Sequence, residues 1–215
     1  MNEKHDSPIA REGYPFIILT AALTLAAFFL GMPRITFLLL LATGFVVWFF
    51  RNPERNFPPG EKLVISPADG KVIRIEEIGG HELLPGASRK ISIFMNVFSV
   101  HVNRFPYSGR IEAIRYDPGK FLSANLDKAS SDNERNAVLV RTDDGRSILT
   151  IQVAGLVARR IVCWVKEGMP AVKGERFGMI RFGSRVEVLL PADTDILVKV
   201  GDNVRAGETP IGGLS

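Results

Sequence analysis

Thiol and imidazole groups are scarce in this 215-residue chain, which has one cysteine and three histidines. A lone thiol, Cys163, excludes an intrachain disulfide framework and a multi-thiolate metal site, and we expect no metal cofactor. Long runs of lysine and arginine are also missing, since 27 basic and 23 acidic residues give a net charge of only +4. This distribution argues against a nucleic-acid partner and suits an anionic lipid surface better.

Charged residues are absent from two long apolar segments near the start, residues 15–32 and 35–50, which only Pro33 and Arg34 separate. The first is long enough for a helix to cross a hydrocarbon layer of about 30 Å. The second would reach about 24 Å as a helix, slightly short of that thickness, so it either spans with help from flanking residues or lies re-entrant. We predict a membrane hairpin of two helices over residues 14–50; the alternative is a hairpin buried in a soluble core.

Basic residues mark the orientation of this hairpin. Lys4 and Arg11 precede it, Arg51 and Arg55 follow it, and only Arg34 lies at its turn. Because cytoplasmic flanks are enriched in lysine and arginine, we expect both ends, and therefore the rest of the chain, on the cytoplasmic side of the cell's inner membrane.

The remaining chain has the pattern of a mainly β protein. After an N-terminal tail (1–13), the hairpin and a proline-containing linker (51–66), short runs of β-branched and apolar residues alternate with glycine, Asp-Gly and proline over residues 67–215. One Asp-Gly pair, in residues 143–145, lies between two such runs and indicates a hairpin turn.

An internal repeat refines the fold prediction. The sequence VKEGMPAVKGE begins at Val165, and the related VKVGDNVRAGE begins at Val198. Such units are typical of lipoyl/biotinyl-type folds, an analogy that concerns the fold alone. We therefore predict a barrel-sandwich domain built from lipoyl/biotinyl-like hybrid motifs, preceded by the α-helical membrane hairpin.

Three polar residues in these β-type runs could do chemistry: Asp69 in SPADGKV, His101 in FSVHVNRFP, and Ser184, after Gly183, in RFGSRVEVLLP. Each also has an ordinary interpretation, since Asp-Gly and Gly-Ser pairs commonly form turns and a single strand histidine is commonly structural. Together they supply the residue types of a nucleophile, a base and an orienting acid.

Five longer motifs together point to one protein family. FFRNPERNFP, SPADGKV, MNVFSVHVNRFPYSG, GLVARRIVCW and RFGMIRFGSRVEVLLP occur in this order. From residue 49 to the end, the chain resembles the short-form phosphatidylserine decarboxylases, the group that includes archaetidylserine-type enzymes. A hydrophobic hairpin before the catalytic domain is also usual in that group.

The resemblance implies a self-cleaving proenzyme. The bond between Gly183 and Ser184 would break, giving a β chain (1–183) and an α chain (184–215) that stay paired as a heterodimer. Ser184 would become a covalent pyruvoyl cofactor that condenses with the amine of the substrate, a phospholipid in the membrane. His101 and Asp69 match the family's base and acid positions, and the reaction would convert phosphatidylserine to phosphatidylethanolamine.

Other points stay open at this stage. Phe98 stands where larger family members carry a second histidine, so Asn103, Arg104, Arg159 and Arg160 are all candidates to anchor the substrate carboxylate. The sequence does not separate phosphatidylserine from an archaeal-type serine lipid, nor does it give an oligomeric state.

Two other functions are alternatives. One is a membrane-anchored serine hydrolase with Ser184 intact, although the chain has no Gly-x-Ser-x-Gly elbow around this serine. The other is a non-enzymatic membrane adaptor built on a lipoyl-like sandwich.

Overall fold

The computed structural model describes residues 6–119, 133–155, 160–181 and 184–215. The chain divides into two compact units, Met1–Glu54 and Arg55–Ser215. The division falls within the segment that the sequence predicts as a linker.

Two apolar helices dominate the first unit. A short 3-10 helix, Arg11–Gly13, leads into α1, Tyr14–Phe29, and α2 follows as Pro33–Phe49. Proline in the first turn of each helix suits a position where the backbone N–H has no helical partner. Gly31 lies between the helices at φ +68°, a left-handed conformation that ends α1. A hydrogen bond of 3.2 Å between the Thr24 and Thr43 hydroxyls joins the two helices.

The lengths of these helices match the two apolar segments. Residues Arg11–Phe29 form one helix that is long and apolar enough to cross a membrane, whereas Pro33–Phe49 is apolar but shorter. Both helices are apolar on all sides, as is typical of segments that face lipid or a protein interior.

The second unit is built of antiparallel strands, which confirms the prediction of a mainly β fold. The strands are β1 Leu63–Ile65, β2 Gly70–His81, β3 Leu84–Met95, β4 Val102–Arg104, β5 Gly109–Asp117, β6 Arg135–Arg141, β7 Ser147–Ala154, β8 Ile161–Cys163, β9 Pro170–Ala171, β10 Arg176–Ile180, β11 Ser184–Pro191, β12 Asp195–Ile196, β13 Asn203–Val204 and β14 Pro210–Gly213. β1 lies inside the predicted linker, and β6 and β7 form the hairpin predicted at the Asp-Gly turn, where Gly145 has φ +83°.

The sheets show that the β unit consists of two similar halves. The eight-stranded sheet has the order β13-β2-β3-β11-β7-β6-β5-β9, and two three-stranded sheets have the orders β1-β14-β12 and β4-β10-β8. Read from its two edges, the large sheet repeats one arrangement: β13, β2, β3 and β11 correspond to β9, β5, β6 and β7. The second half, β4 to β10, is therefore inserted between β3 and β11 of the first half.

The sequence repeat coincides with this duplication. Each copy contains one short edge strand of the large sheet, β9 or β13, and is followed by the central strand of a small sheet, β10 or β14. Two glycines in each copy adopt positive φ at matching places. They are Gly168 and Gly174 in the first copy, at φ +80° and +84°, and Gly201 and Gly207 in the second, at φ +104° and +78°.

The main core lies on one face of β11. Val186, Val188 and Leu190 alternate along this strand and are fully buried among residues of β2, β3 and β14. Burying one such side chain contributes about 1.5–3 kcal/mol. The opposite face carries Leu189, which packs in a second buried cluster, so both faces of β11 are covered.

Candidate functional site

The chain crosses from one half of the β unit to the other at two places, and these two crossovers lie next to each other. The first crossover leaves β3 at Met95 and reaches β4 just after His101, and the second leaves β10 at Ile180 and enters β11 at Ser184. Ser184 pairs with Met95 across the sheet. The Ile180 N–H donates a hydrogen bond to the His101 carbonyl at 3.2 Å. Insertion of one half into the other thus brings two of the predicted site residues into one region.

Ser184 is the first residue of β11, between β3 and β7. It is fully buried, with Met95 on one side and Ala154 on the other. Its hydroxyl donates to the Met95 Sδ at 3.4 Å. Gly183, the other residue of the predicted cleavage bond, lies outside the described residues.

His101 immediately precedes β4 and is also fully buried. Alternation along a strand would place it opposite Val100 and Val102, yet all three side chains are buried. The His101 Nδ1 lies 2.9 Å from the Ser99 carbonyl oxygen. Since a carbonyl only accepts, Nδ1 carries the hydrogen, and Nε2 is the basic nitrogen of the neutral ring.

Asp69 lies in the turn before β2, where its carboxylate accepts three hydrogen bonds. Arg55 Nη2 contacts the two oxygens at 3.1 and 2.9 Å, and the Ala206 N–H donates at 2.8 Å. Arg55, which the sequence places in the linker, also pairs with Glu208 at 3.2 Å. Gly70 is required beside Asp69, since a Cβ there would lie 2.2 Å from the Phe94 carbonyl oxygen.

The three predicted residues are therefore held by different partners. The Ser99 backbone engages His101 Nδ1, whereas Arg55 and the Ala206 backbone engage the Asp69 carboxylate. The assignment of His101 as base and Asp69 as its orienting acid stays a prediction.

Sequence reasoning missed a buried chain of amide side chains that leads to this region. Asn136 Nδ2 donates to Gln152 Oε1 at 2.9 Å, and Gln152 Nε2 donates to Asn103 Oδ1 at 2.8 Å. Asn103 Nδ2 then points to the Met95 Sδ at 3.7 Å. One feature of the sequence could have predicted it: Gln152 lies within the apolar run that forms β7. A polar side chain buried there needs hydrogen-bond partners from other strands.

The other residues that could anchor the substrate carboxylate differ in how buried they are. Arg104 is buried and donates to the Gly174 carbonyl at 2.7 Å, which gives it a structural role. Arg160 is exposed, and Arg159 lies outside the described residues. Phe98, in the crossover before His101, is 65% exposed.

Among the residues that the structure describes, no three His, Cys, Asp or Glu side chains are placed to hold a metal ion.

Comparison with known proteins identifies the family. The sequence model of the family described as phosphatidylserine decarboxylase matches residues 42–212. A phosphatidylserine decarboxylase proenzyme of Syntrophus aciditrophicus is 65% identical over 210 residues, which cover 97% of this chain and 99% of that protein. Proteins with the same name from Desulfotalea psychrophila and Magnetococcus marinus are 50% and 48% identical, each over at least 95% of both chains. The chain therefore belongs to the phosphatidylserine decarboxylase family, as its motifs indicate.

Proposed function

We propose that this protein removes the carboxyl group from the serine headgroup of phosphatidylserine, with a pyruvoyl group formed from Ser184. The family implies a pyruvoyl group and a proenzyme. The observation that supports its origin is the position of Ser184, a fully buried hydroxyl at the start of an internal strand and beside the crossover that carries His101.

Self-cleavage begins at the hydroxyl of this serine. Ser184 Oγ bonds to the carbonyl carbon of Gly183 as its proton passes to His101 Nε2, and the C–N bond then breaks with return of a proton to nitrogen, which leaves an ester. Elimination removes the Cα proton of residue 184, breaks the Cβ–Oγ bond and frees the Gly183 carboxylate. The resulting enamine tautomerises to an imine, and water hydrolyses this imine, which releases ammonia and leaves a ketone at residue 184.

The surroundings of Ser184 suit this conversion. Because β3 and β7 bond β11 on both sides, the new end of the chain stays in place after the scission. The pyruvoyl group supplies an electron sink for the carbanion that remains when CO₂ leaves. His101, which is buried, then returns a proton to that carbon.

The two products of cleavage are interleaved, which supports a stable pair. Beyond β11, strands β13 and β14 of the small piece pair with β2 and β1 of the large piece. Backbone hydrogen bonds add to these pairs: the Ser66 N–H donates to Thr209 O, and the Gly207 N–H donates to Ser66 O, each at 2.8 Å.

A lipid substrate accounts for the apolar helices. Arg11–Phe29 is long and apolar enough to anchor the chain in a bilayer. The excess of flanking arginines favours a catalytic unit on the cytoplasmic side of the inner membrane. This anchoring keeps the site at the surface where the headgroup lies.

Mass spectrometry under denaturing conditions tests the proposal. The purified protein is expected as two pieces that end at Gly183 and begin at residue 184, and phenylhydrazine is expected to label the small piece and to stop decarboxylation. Ser184→Ala is expected to keep the intact mass of 23.7 kDa and to be inactive. The matched control is Ser147→Ala, since Ser147 begins β7 as Ser184 begins β11. Full activity in an uncleaved, unlabelled protein would contradict the proposal.

A further inference from the structure

We propose that Asn103 is a further catalytic residue of the self-cleavage, and that Gln152 and Asn136 position it. In this step, the Asn103 side-chain amide donates a hydrogen bond to Ser184 Oγ as that oxygen gives up its proton. The inference rests on the proposed function, because it assumes that Ser184 is the attacking group.

The series of amide side chains connects two sheets of the β unit. Asn136 and Gln152 belong to β6 and β7 of the large sheet, and Asn103 belongs to β4 of the three-stranded sheet β4-β10-β8. From Asn103 the chain returns to the large sheet at Met95 on β3, the partner of Ser184. All five side chains are at most 2% exposed, so bulk water does not compete for their hydrogen bonds.

A hydrogen bond from Gln152 fixes the orientation of the Asn103 side-chain amide. Gln152 Nε2 donates to Asn103 Oδ1, so the NH₂ group of Asn103 must face the other way, toward Met95 and Ser184. Gln152 is fixed in turn, because its oxygen accepts from Asn136. Gly178 borders this amide: a Cβ there would lie 2.4 Å from the Val162 carbonyl oxygen and 3.2 Å from Gln152 Nε2.

The contacts that Asn103 and Ser184 make with the Met95 sulfur are weak. Asn103 Nδ2 and Ser184 Oγ point to one thioether sulfur, at 3.7 and 3.4 Å. A thioether is a poor acceptor, so both groups can leave it at little cost. A serine oxygen that is losing its proton is a far stronger acceptor, and a charge-assisted hydrogen bond from the nearby amide would replace the contact with sulfur.

The proton and electron balance of the step is simple. The Ser184 hydroxyl proton passes to His101, and an electron pair of Oγ forms the bond to the Gly183 carbonyl carbon as the π pair of that carbonyl moves onto its oxygen. The pair returns when the C–N bond breaks and nitrogen takes up a proton. Asn103 keeps its protons and lowers the energy of the developing charge on Oγ.

Two substitutions test the role of the amide. Asn103→Leu removes the donor at similar size. Gln152→Glu keeps the shape but presents only acceptors to Asn103, so the Asn103 amide is expected to turn over and to face Ser184 with its oxygen. In pulse–chase translation, both variants are expected to cleave at least about tenfold more slowly than the unsubstituted protein.

Thr150→Val is the matched control, because Thr150 is a buried polar residue on the same face of β7 as Gln152. It is expected to cleave at the normal rate, because Thr150 takes no part in the series of amide hydrogen bonds. Normal cleavage by Gln152→Glu or Asn103→Leu would overturn the inference, and so would equally slow cleavage by Thr150→Val.

Met95→Leu gives a test that does not depend on the amide variants folding. It removes the sulfur that competes for both groups, so cleavage is expected to be no slower than normal. Cleavage that is tenfold slower would make the sulfur the functional partner and would overturn the role of Asn103. If the unsubstituted protein does not cleave before Ser184, the proposed function itself fails; if it cleaves and the amide variants cleave equally fast, only this inference fails.

Discussion

Asp69 and Ser108 occupy equivalent positions in the two halves of the β unit. Asp69 accepts a hydrogen bond from the backbone N–H of Ala206, and Ser108 accepts one from the backbone N–H of Lys173. Each precedes a glycine that opens the next strand against a neighbouring carbonyl, and Ala206 and Lys173 match in the two copies of the repeat. Both halves therefore have a side-chain oxygen that accepts a hydrogen bond from the repeat backbone at this position. Only the first half has a carboxylate there, and it lies beside Arg55.

This carboxylate gives a prediction with a close control. Asp69→Asn keeps an acceptor for the Ala206 N–H but removes the charge that faces Arg55. If Asp69 acts as the acid of the site, self-cleavage is expected to slow by about tenfold or more. Glu208→Gln removes the other carboxylate that pairs with Arg55 and is expected to leave cleavage within about twofold of normal. Equal effects of the two substitutions, measured by pulse–chase, would indicate that only the arginine network matters.

His101 is expected to be needed for cleavage. His101→Gln removes the basic nitrogen while keeping a side chain that can donate to the Ser99 carbonyl. Loss of a general base typically costs 10²–10⁴-fold, so intact precursor is expected to accumulate. His81→Asn serves as the control, since His81 lies at the far end of β2. Rapid cleavage of the His101 variant would remove this residue from the role of base.

The cleaved pieces are expected to stay together until denaturant separates them. Leu190→Ala, in the fully buried face of β11, leaves a cavity and should weaken the pair by about 2–5 kcal/mol. Size-exclusion chromatography in increasing urea is expected to release residues 184–215 at a lower concentration than in the unsubstituted protein. Leu197→Ala changes a half-exposed leucine of the same piece and should shift the release point little. Spontaneous release of the small piece without denaturant would contradict the interleaved arrangement.

Acid sensitivity is expected to depend in part on His81. Burial, reinforced by the positive charge of Arg135, lowers the pKa of His81 below its usual value of 6.5. The unfolded chain then binds the proton more readily than the folded one, so stability is lost as the pH falls from 6.5 toward the lower folded pKa.

The substitution His81→Asn tests this effect. The Leu83 N–H donates to His81 Nδ1, and an asparagine can still accept that hydrogen bond without titrating. The urea midpoint of the variant is expected to fall less than that of the unsubstituted protein when the pH is taken from above to below 6.5. An identical fall in both proteins would exclude His81 as the cause.

Much of the architecture could be predicted from local sequence. Uncharged apolar runs bounded by prolines form α1 and α2, and alternating apolar residues form strands such as β11. The motif around Ser184 indicates the family, which the comparisons confirm. These features could be read because each depends on neighbouring residues, through helix or strand periodicity and turn chemistry.

The connections between distant segments could not be read in this way. The insertion of one half into the other brings the crossover at His101 beside the one that leads to Ser184. Arg55 comes from the predicted linker to hold Asp69, and Asn136, Gln152 and Asn103 meet from three strands. Such contacts depend on strand order and register across the whole unit, which no local pattern encodes. The sequence by itself thus determined the elements, the family and the serine that we propose to react, because these depend on neighbouring residues. Only the tertiary structure decided which side chains surround that serine.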